Sequence, residues 1–176
     1  MKKLFGSFLL AFSVSLGCTP SGTVHETAPV TKDLSAYHTA SIAVNVTGKT
    51  EKPDVHKSQL ALAIEKQIKE KSLFAEVVPE KGELEIRVNL DTIDEGGTMG
   101  GLAAGDTDVA ASVELFDTKD NKAIGAFQAT GTSKSNTHTS ISGVDTKTGS
   151  SQSASAHAHL AEQIATYIAS HKAGAK

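Results

Sequence analysis

Three groups of residues in this 176-residue chain have types and spacing suited to chemistry. The first is Cys18, the sole cysteine. It stands just behind Met1-Lys2-Lys3 and an apolar run from Leu4 to Leu16, with Gly17 as the small residue before it. A basic start, a short apolar stretch and a small residue at the break make an export signal, too short for a bilayer span. A thiol at that break is placed for acylation, and no second cysteine offers it a disulfide. The second group is His157 and His159, with His138 upstream. On a helix, positions two apart face nearly opposite ways, so this pair does not share one tetrahedral ion. Both are expected to face solvent near a helix start. The third group is acidic: Asp91, Asp94 and Glu95, with Asp106 and Asp108 across a glycine-rich stretch. Clustered carboxylates suit calcium, but the Asp-x-Asp-x-Asp-Gly loop is missing. Solvated carboxylates at strand ends are the stronger expectation, and a metal there the weaker one.

The placement of Cys18 matches the bacterial lipoprotein signal, in which the cysteine becomes the lipid-bearing first residue. One position departs from that pattern. Ser15 stands three residues before the cysteine, where Leu, Val or Ile is usual, with Val14 and Leu16 on either side. Each buried acyl methylene contributes about 0.8 kcal/mol, so one chain holds weakly and two or three hold stably. The match implies a domain tethered to a membrane through Cys18. Thr19 follows the cysteine. Aspartate there is the inner-membrane retention signal in enterobacteria, so the expectation is the outer membrane, facing the periplasm.

Composition removes several function classes. Without Lys2 and Lys3 the chain carries 15 basic against 20 acidic residues, and nucleic acid is repelled. Beyond the signal the aromatics are Tyr37, Phe74, Phe116, Phe127 and Tyr167, with no tryptophan, which is thin material for a stacking platform. Gly-x-Ser-x-Gly, His-Glu-x-x-His and the phosphate-cradling Gly-x-x-x-x-Gly-Lys are all missing. No cofactor is expected, and no catalytic residue is assigned. Gly97, Gly101 and Gly105 have the GxxxG spacing of packed membrane helices, but Thr98, Asp106 and Asp108 around them indicate a loop.

The elements that would position these groups follow from periodicity. Residues 1–17 are the signal, and residues 18–39, with Pro20 and Pro29, read as a flexible tether. Ile42, Val44 and Val46 alternate as a strand. Pro53-Asp54 opens a helix with Asp54 as candidate N-cap, and Leu60, Ile64 and Ile68 form its apolar stripe. A short strand over residues 74–78 precedes the clearest one, in which Leu84, Ile86, Val88 and Leu90 oppose Glu85, Arg87 and Asn89. Val109, Ala111, Val113 and Leu115 repeat that design, and a turn at 117–122 leads to a third long strand over 123–132. A Ser/Thr/Gly-rich loop at about 133–152, expected to be mobile, leads to a closing helix from about Ser153 with Leu160, Ile164 and Ile168 inward. The expectation is one α+β domain over 40–176. It is a two-layer sandwich in the order β-α-β-β-β-β-α, with a mainly antiparallel sheet of four to five strands and two helices on one face.

The stretch from Gly101 to Gly131 resembles the bacterial lipoproteins grouped as the domain of unknown function 4410 family. That family has a glycine-rich turn, an alternating strand ended by aspartate, a turn, a second strand and a glycine. Gly101 and Gly105 match the first glycines, Asp117 the aspartate and Gly131 the last glycine. Asp120-Asn121 stands where the family has glycine. The resemblance implies the fold and the envelope address, and no activity.

Three functional readings remain. The first is an envelope lipoprotein that binds or scaffolds another envelope component, such as a protein, without catalysis, through its open sheet face or sheet edge, with Ala110, Ser112 and Phe116 as candidate contacts. The second is a small-molecule or lipid carrier with a pocket between sheet and helices. The third is a small periplasmic enzyme using the acidic cluster.

Overall fold

Alternation of apolar and polar side chains builds one sheet with a dry face and a wet face. Strand β4 (Leu84–Asp94) turns Leu84, Ile86, Val88 and Leu90 inward, and β7 (Thr107–Asp117) does the same with Val109, Ala111, Val113 and Leu115. Strand β8 (Lys122–Ser133) pairs antiparallel with β7 through a tight turn, where Asn121 takes the left-handed conformation (φ 52°) that asparagine tolerates best after glycine. Strand β2 (Thr39–Val46) runs parallel to β4, with the two-residue β3 (Glu76–Val77) on its far side. The computed structural model describes residues 22–95, 98–99, 102–103, 106–134 and 149–173. Cys18, His138, the glycines at 97, 101 and 105, and residues 135–148 of the expected loop lie outside them.

The architecture is the expected α+β sandwich, and two helices cover one face. Helix α1 (Pro53–Glu70) buries His56, Leu60, Ile64 and Ile68. Helix α2 (Gly149–Ala173) buries Ala156, Leu160, Ala161, Ile164, Ala165 and Ile168. With β1 spanning Val24–Ala28, the sheet order is β1-β8-β7-β4-β2-β3. A separate ribbon joins β5 (Thr98–Met99) to β6 (Leu102–Ala103).

Several boundaries differ from the sequence expectation. The main sheet has six strands rather than four or five. The extra one, β1 (Val24–Ala28), lies inside the stretch expected as tether and pairs antiparallel with β8. Val-His-Glu-Thr-Ala has almost no apolar period, so nothing local marks it; the free edge of β8 orders it. The same stretch holds a 3-10 turn at Leu34–Ala36, capped by the Asp33 carboxylate, with Leu34 fully buried. Asp54 is not the N-cap of α1. Lys52 occupies that position without a side-chain bond, Pro53 opens the helix, and Asp54 sits in the first turn beside the positive helix end. Helix α2 begins at Gly149, inside the residues assigned to the loop.

Gly131 sets how closely α2 lies on the sheet. A Cβ there would stand 2.3 Å from the Ala156 carbonyl oxygen and 2.5 Å from the Leu160 nitrogen, both backbone atoms of α2. The helix therefore touches the strand without an intervening side chain, and Ala156, Ala161 and Ala165 keep the rest of its buried face shallow. Gly131→Val should lower the unfolding free energy by about 2–3 kcal/mol, read as a lower urea midpoint. Replacement of exposed Gln128, also on β8, should leave the midpoint nearly unchanged.

Candidate functional site

The open face of the sheet is small, polar and flat, with one large feature. From β2 it carries Ala43 and Asn45, from β4 Glu85, Arg87 and Asn89, and from β7 Ala110, Ser112, Glu114 and Phe116. The Arg87 guanidinium lies 3.4 Å from the Phe116 ring centre, a cation–π stack. Two carboxylates hold it there: Glu85 Oε2 is 2.8 Å from Nη2, and Glu114 Oε2 is 3.1 Å from Nη1. Burial opposes the charge on Arg87, but these two carboxylates accept its N–H groups and raise its pKa. A shallow hollow of about 330 Å³ lies beside this group, lined by Ala43, Asn45, Glu85, Arg87, Asn89 and Glu114. Of the expected contacts, Phe116 is half-buried beneath Arg87 rather than fully exposed, and Ala110 and Ser112 are half-buried on the same face. Ser112 donates to Asp91 Oδ2 at 2.6 Å.

The acidic residues do not assemble into one centre. Asp91 accepts from the Thr47 hydroxyl at 3.0 Å with one oxygen and from Ser112 with the other. Asp94 and Asp108 stand opposite each other across β4 and β7. Glu95 turns toward α1 instead, with Oε1 at 3.3 Å from His56 Nε2. Among the described residues no three His, Cys, Asp or Glu side chains converge as metal ligands.

The structure gathers a cluster that sequence reasoning missed at the opposite end of the sheet. Asp117 is 4% exposed and every bonding direction of its carboxylate is used. Oδ1 accepts the backbone N–H groups of Lys119 and Asp120, which closes the β7–β8 turn. Oδ2 accepts the Tyr37 hydroxyl at 2.7 Å and the Lys32 ammonium at 2.5 Å. Lys32 also reaches Asp120. Lys32 is the main reason the Asp117 carboxyl is held well below the usual carboxylate range, with the turn N–H of Asp120 and then Tyr37 adding to it. Burial, then the bond to Asp117, pushes the Tyr37 phenol up to about 12. A cleft of about 470 Å³ opens beside them. A carboxylate with four donors in place is a fastener, since it has no lone pair free to take a substrate proton. The strand-ending aspartate was visible in the sequence; Lys32 and Tyr37 lie in the supposed tether and carried no sign of this role.

Two further expectations change. His157 does not face solvent: it is 1% exposed. His159 is half-buried, with Nδ1 donating to the Thr132 carbonyl at 2.6 Å. Between sheet and helices, where the carrier reading needs space, Phe127, Leu60, Ile64, Leu84, Ile86, Leu115 and Leu160 are all nearly or fully buried.

No protein-family model and no curated protein matches the chain. Solved structures share its fold. A PelC dodecamer from Paraburkholderia phytofirmans is similar at TM-score 0.51 and 15% identity, over 81% of this chain and 96% of that one. A minor lipoprotein from Acinetobacter baumannii gives 0.45 and 11%, over 79% and 95%. Lipoprotein GNA1162 from Neisseria meningitidis gives 0.40 and 13%, over 58% and 88%. At 15% identity the likeness to PelC is one of fold.

The fastener reading of Asp117 has a pH signature. A carboxyl whose pKa is depressed on folding stabilises the native state above its unfolded pKa and loses that contribution as acid protonates it. The urea midpoint of the native chain should therefore fall between about pH 5 and pH 2. Asp117→Asn should start lower at pH 7 and show a shallower acid limb. Equal acid limbs in both chains would remove the carboxylate from this role.

Proposed function

We propose that this chain is an envelope lipoprotein, anchored by acylated Cys18 in the outer membrane and facing the periplasm, whose domain docks another envelope protein on its open sheet face without catalysis. The observation that carries the docking is the Arg87–Phe116 stack among small neighbours. Arginine and aromatic side chains dominate the energetics of protein interfaces, and small flanking residues let a partner approach closely. Glu85 and Glu114 fix the guanidinium before any partner arrives, which lowers the ordering cost of binding. The anchor reading rests on the signal-like start of the chain. Cys18 precedes the first residue of β1, Val24, by six positions, a reach of about 20 Å when extended. The sheet would thus stand close above the bilayer. The saturated bonds of Asp117 and the dispersed carboxylates favour binding over the enzyme alternative.

Photo-crosslinking in living cells tests the docking. A photoreactive residue at Ala110 should give one discrete adduct with an envelope protein, and Arg87→Glu should cut its yield several-fold. The same probe at Leu62, exposed on the outer side of α1, supplies the background. Adduct yield at Ala110 no higher than at Leu62, or indifferent to Arg87→Glu, would overturn the docking face. An adduct only with a second copy would replace the foreign partner with self-assembly, as in the PelC dodecamer.

A further inference from the structure

The beginnings of α1 and α2 meet over two histidines that neither the docking face nor the Asp117 cluster uses. His56 is 3% exposed and His157 1%, with ring centres 5.2 Å apart and planes tilted by 32°. His157 Nδ1 lies 2.5 Å from the Ser153 carbonyl oxygen one turn earlier. A carbonyl only accepts, so Nδ1 carries the proton and Nε2 presents a lone pair. Among the described residues that buried Nε2 has no partner. His56 Nε2 faces Glu95 at 3.3 Å, and its Nδ1 is also buried and unpartnered. One turn along α1, the side-chain oxygen of Gln59 is in the same condition.

Acid attacks this arrangement at one atom. A proton added to His157 Nε2 creates a buried cation with an N–H aimed at no acceptor, against another imidazole. Among the described residues the charged and titratable surroundings are few. Glu95, at the end of β4, faces His56. Beneath this end of α2 the inward residues of β7 and β8 are Thr107, Val109, Ala129, Gly131 and Ser133, none of which titrates. The rest of the inward stripe of α1 is Leu60, Ile64 and Ile68. His159 is turned to the Thr132 carbonyl.

We propose that His56 and His157 form an acid-sensitive latch: with the His157 ring neutral the helix starts close on each other, and protonation at His157 Nε2 parts them while the strands stay paired. Burial, the largest influence, holds the His157 pKa below the ordinary imidazole value; the Ser153 carbonyl opposes it, His56 adds to it and Glu95 opposes it. A base whose pKa is depressed on folding leaves the closed state fully stable above about pH 6.5 and weakens it as pH falls below that. A domain outside the cytoplasmic membrane would meet that range whenever the medium acidifies. The latch does not depend on the docking proposal.

Hydrogen exchange on the full chain, corrected for intrinsic rates, reads the opening directly. Below about pH 6.5, peptides spanning residues 53–60 and 152–160 should open up to about tenfold more often per pH unit, with β7 and β8 unchanged. His157→Asn keeps a donor for the Ser153 carbonyl but does not titrate, and it should abolish this response. An acid response of equal size in the variant, or one spread over the whole molecule, would overturn the latch. Imidazole NMR of the native chain gives an answer independent of the variant's folding. The His157 ring should titrate below the ordinary imidazole range, together with loss of helix-start protection. Titration at the ordinary imidazole value with no change in protection would refute the proposal.

Discussion

The backbone contact at Gly131 is the constraint on which the molecule turns. Because α2 touches β8 without a side chain between them, the helix can seat Leu160, Ile164 and Ile168 directly into the sheet's inner face. A shallow alanine-rich helix face then closes a core that contains few aromatics, with Phe127 as its largest fully buried side chain. Both described helices lie on one side. On the other side the described residues are mostly small or polar, with Phe116 as the aromatic exception.

The two ends of the sheet differ in kind. β1 is antiparallel to β8, and β8 to β7, so β1 and β7 begin at the same end. That end carries the starts of both helices and the buried histidines. The other end is fastened. Asp117 gathers Lys32, Tyr37 and its own turn, while Lys172 near the end of α2 donates to the Leu34 and Tyr37 carbonyls and lies 4.4 Å from the Phe74 ring centre. Burial lowers the Lys172 pKa, and no carboxylate bonds it directly among these contacts; the carbonyls and the ring hold the ammonium. The two ends thus hold different titratable groups: a buried carboxylate with its donors at one, two buried imidazoles at the other.

Much of the fold was legible because its strong elements are strongly periodic. β4 and β7 announce themselves through unbroken period-two alternation, and both helices through apolar residues four apart. What escaped was ordered by distant contacts. β1 is polar and exists because β8 has a free edge, and the 3-10 turn is fixed by Asp33 and by Lys172 from the far end of the chain. The site was less legible still. Phe116 and Ser112 were identifiable as outward by alternation, but Arg87 joined them only through cross-strand register with Glu114. The burial of His56 and His157 depends on how two helix starts meet, and spacing within either helix says nothing of that. His157 in particular falls among alanines and serines, where a solvent-facing histidine reads equally well.

The central claim is that this body is held at an envelope membrane by lipid on Cys18. Intact-mass spectrometry of the chain purified from membranes tests it most directly. The account predicts a species beginning at Cys18 and heavier than the bare polypeptide by a diacylglyceryl group, with or without a further acyl chain. A soluble, unmodified chain, or one cleaved elsewhere with Cys18 free, would contradict it.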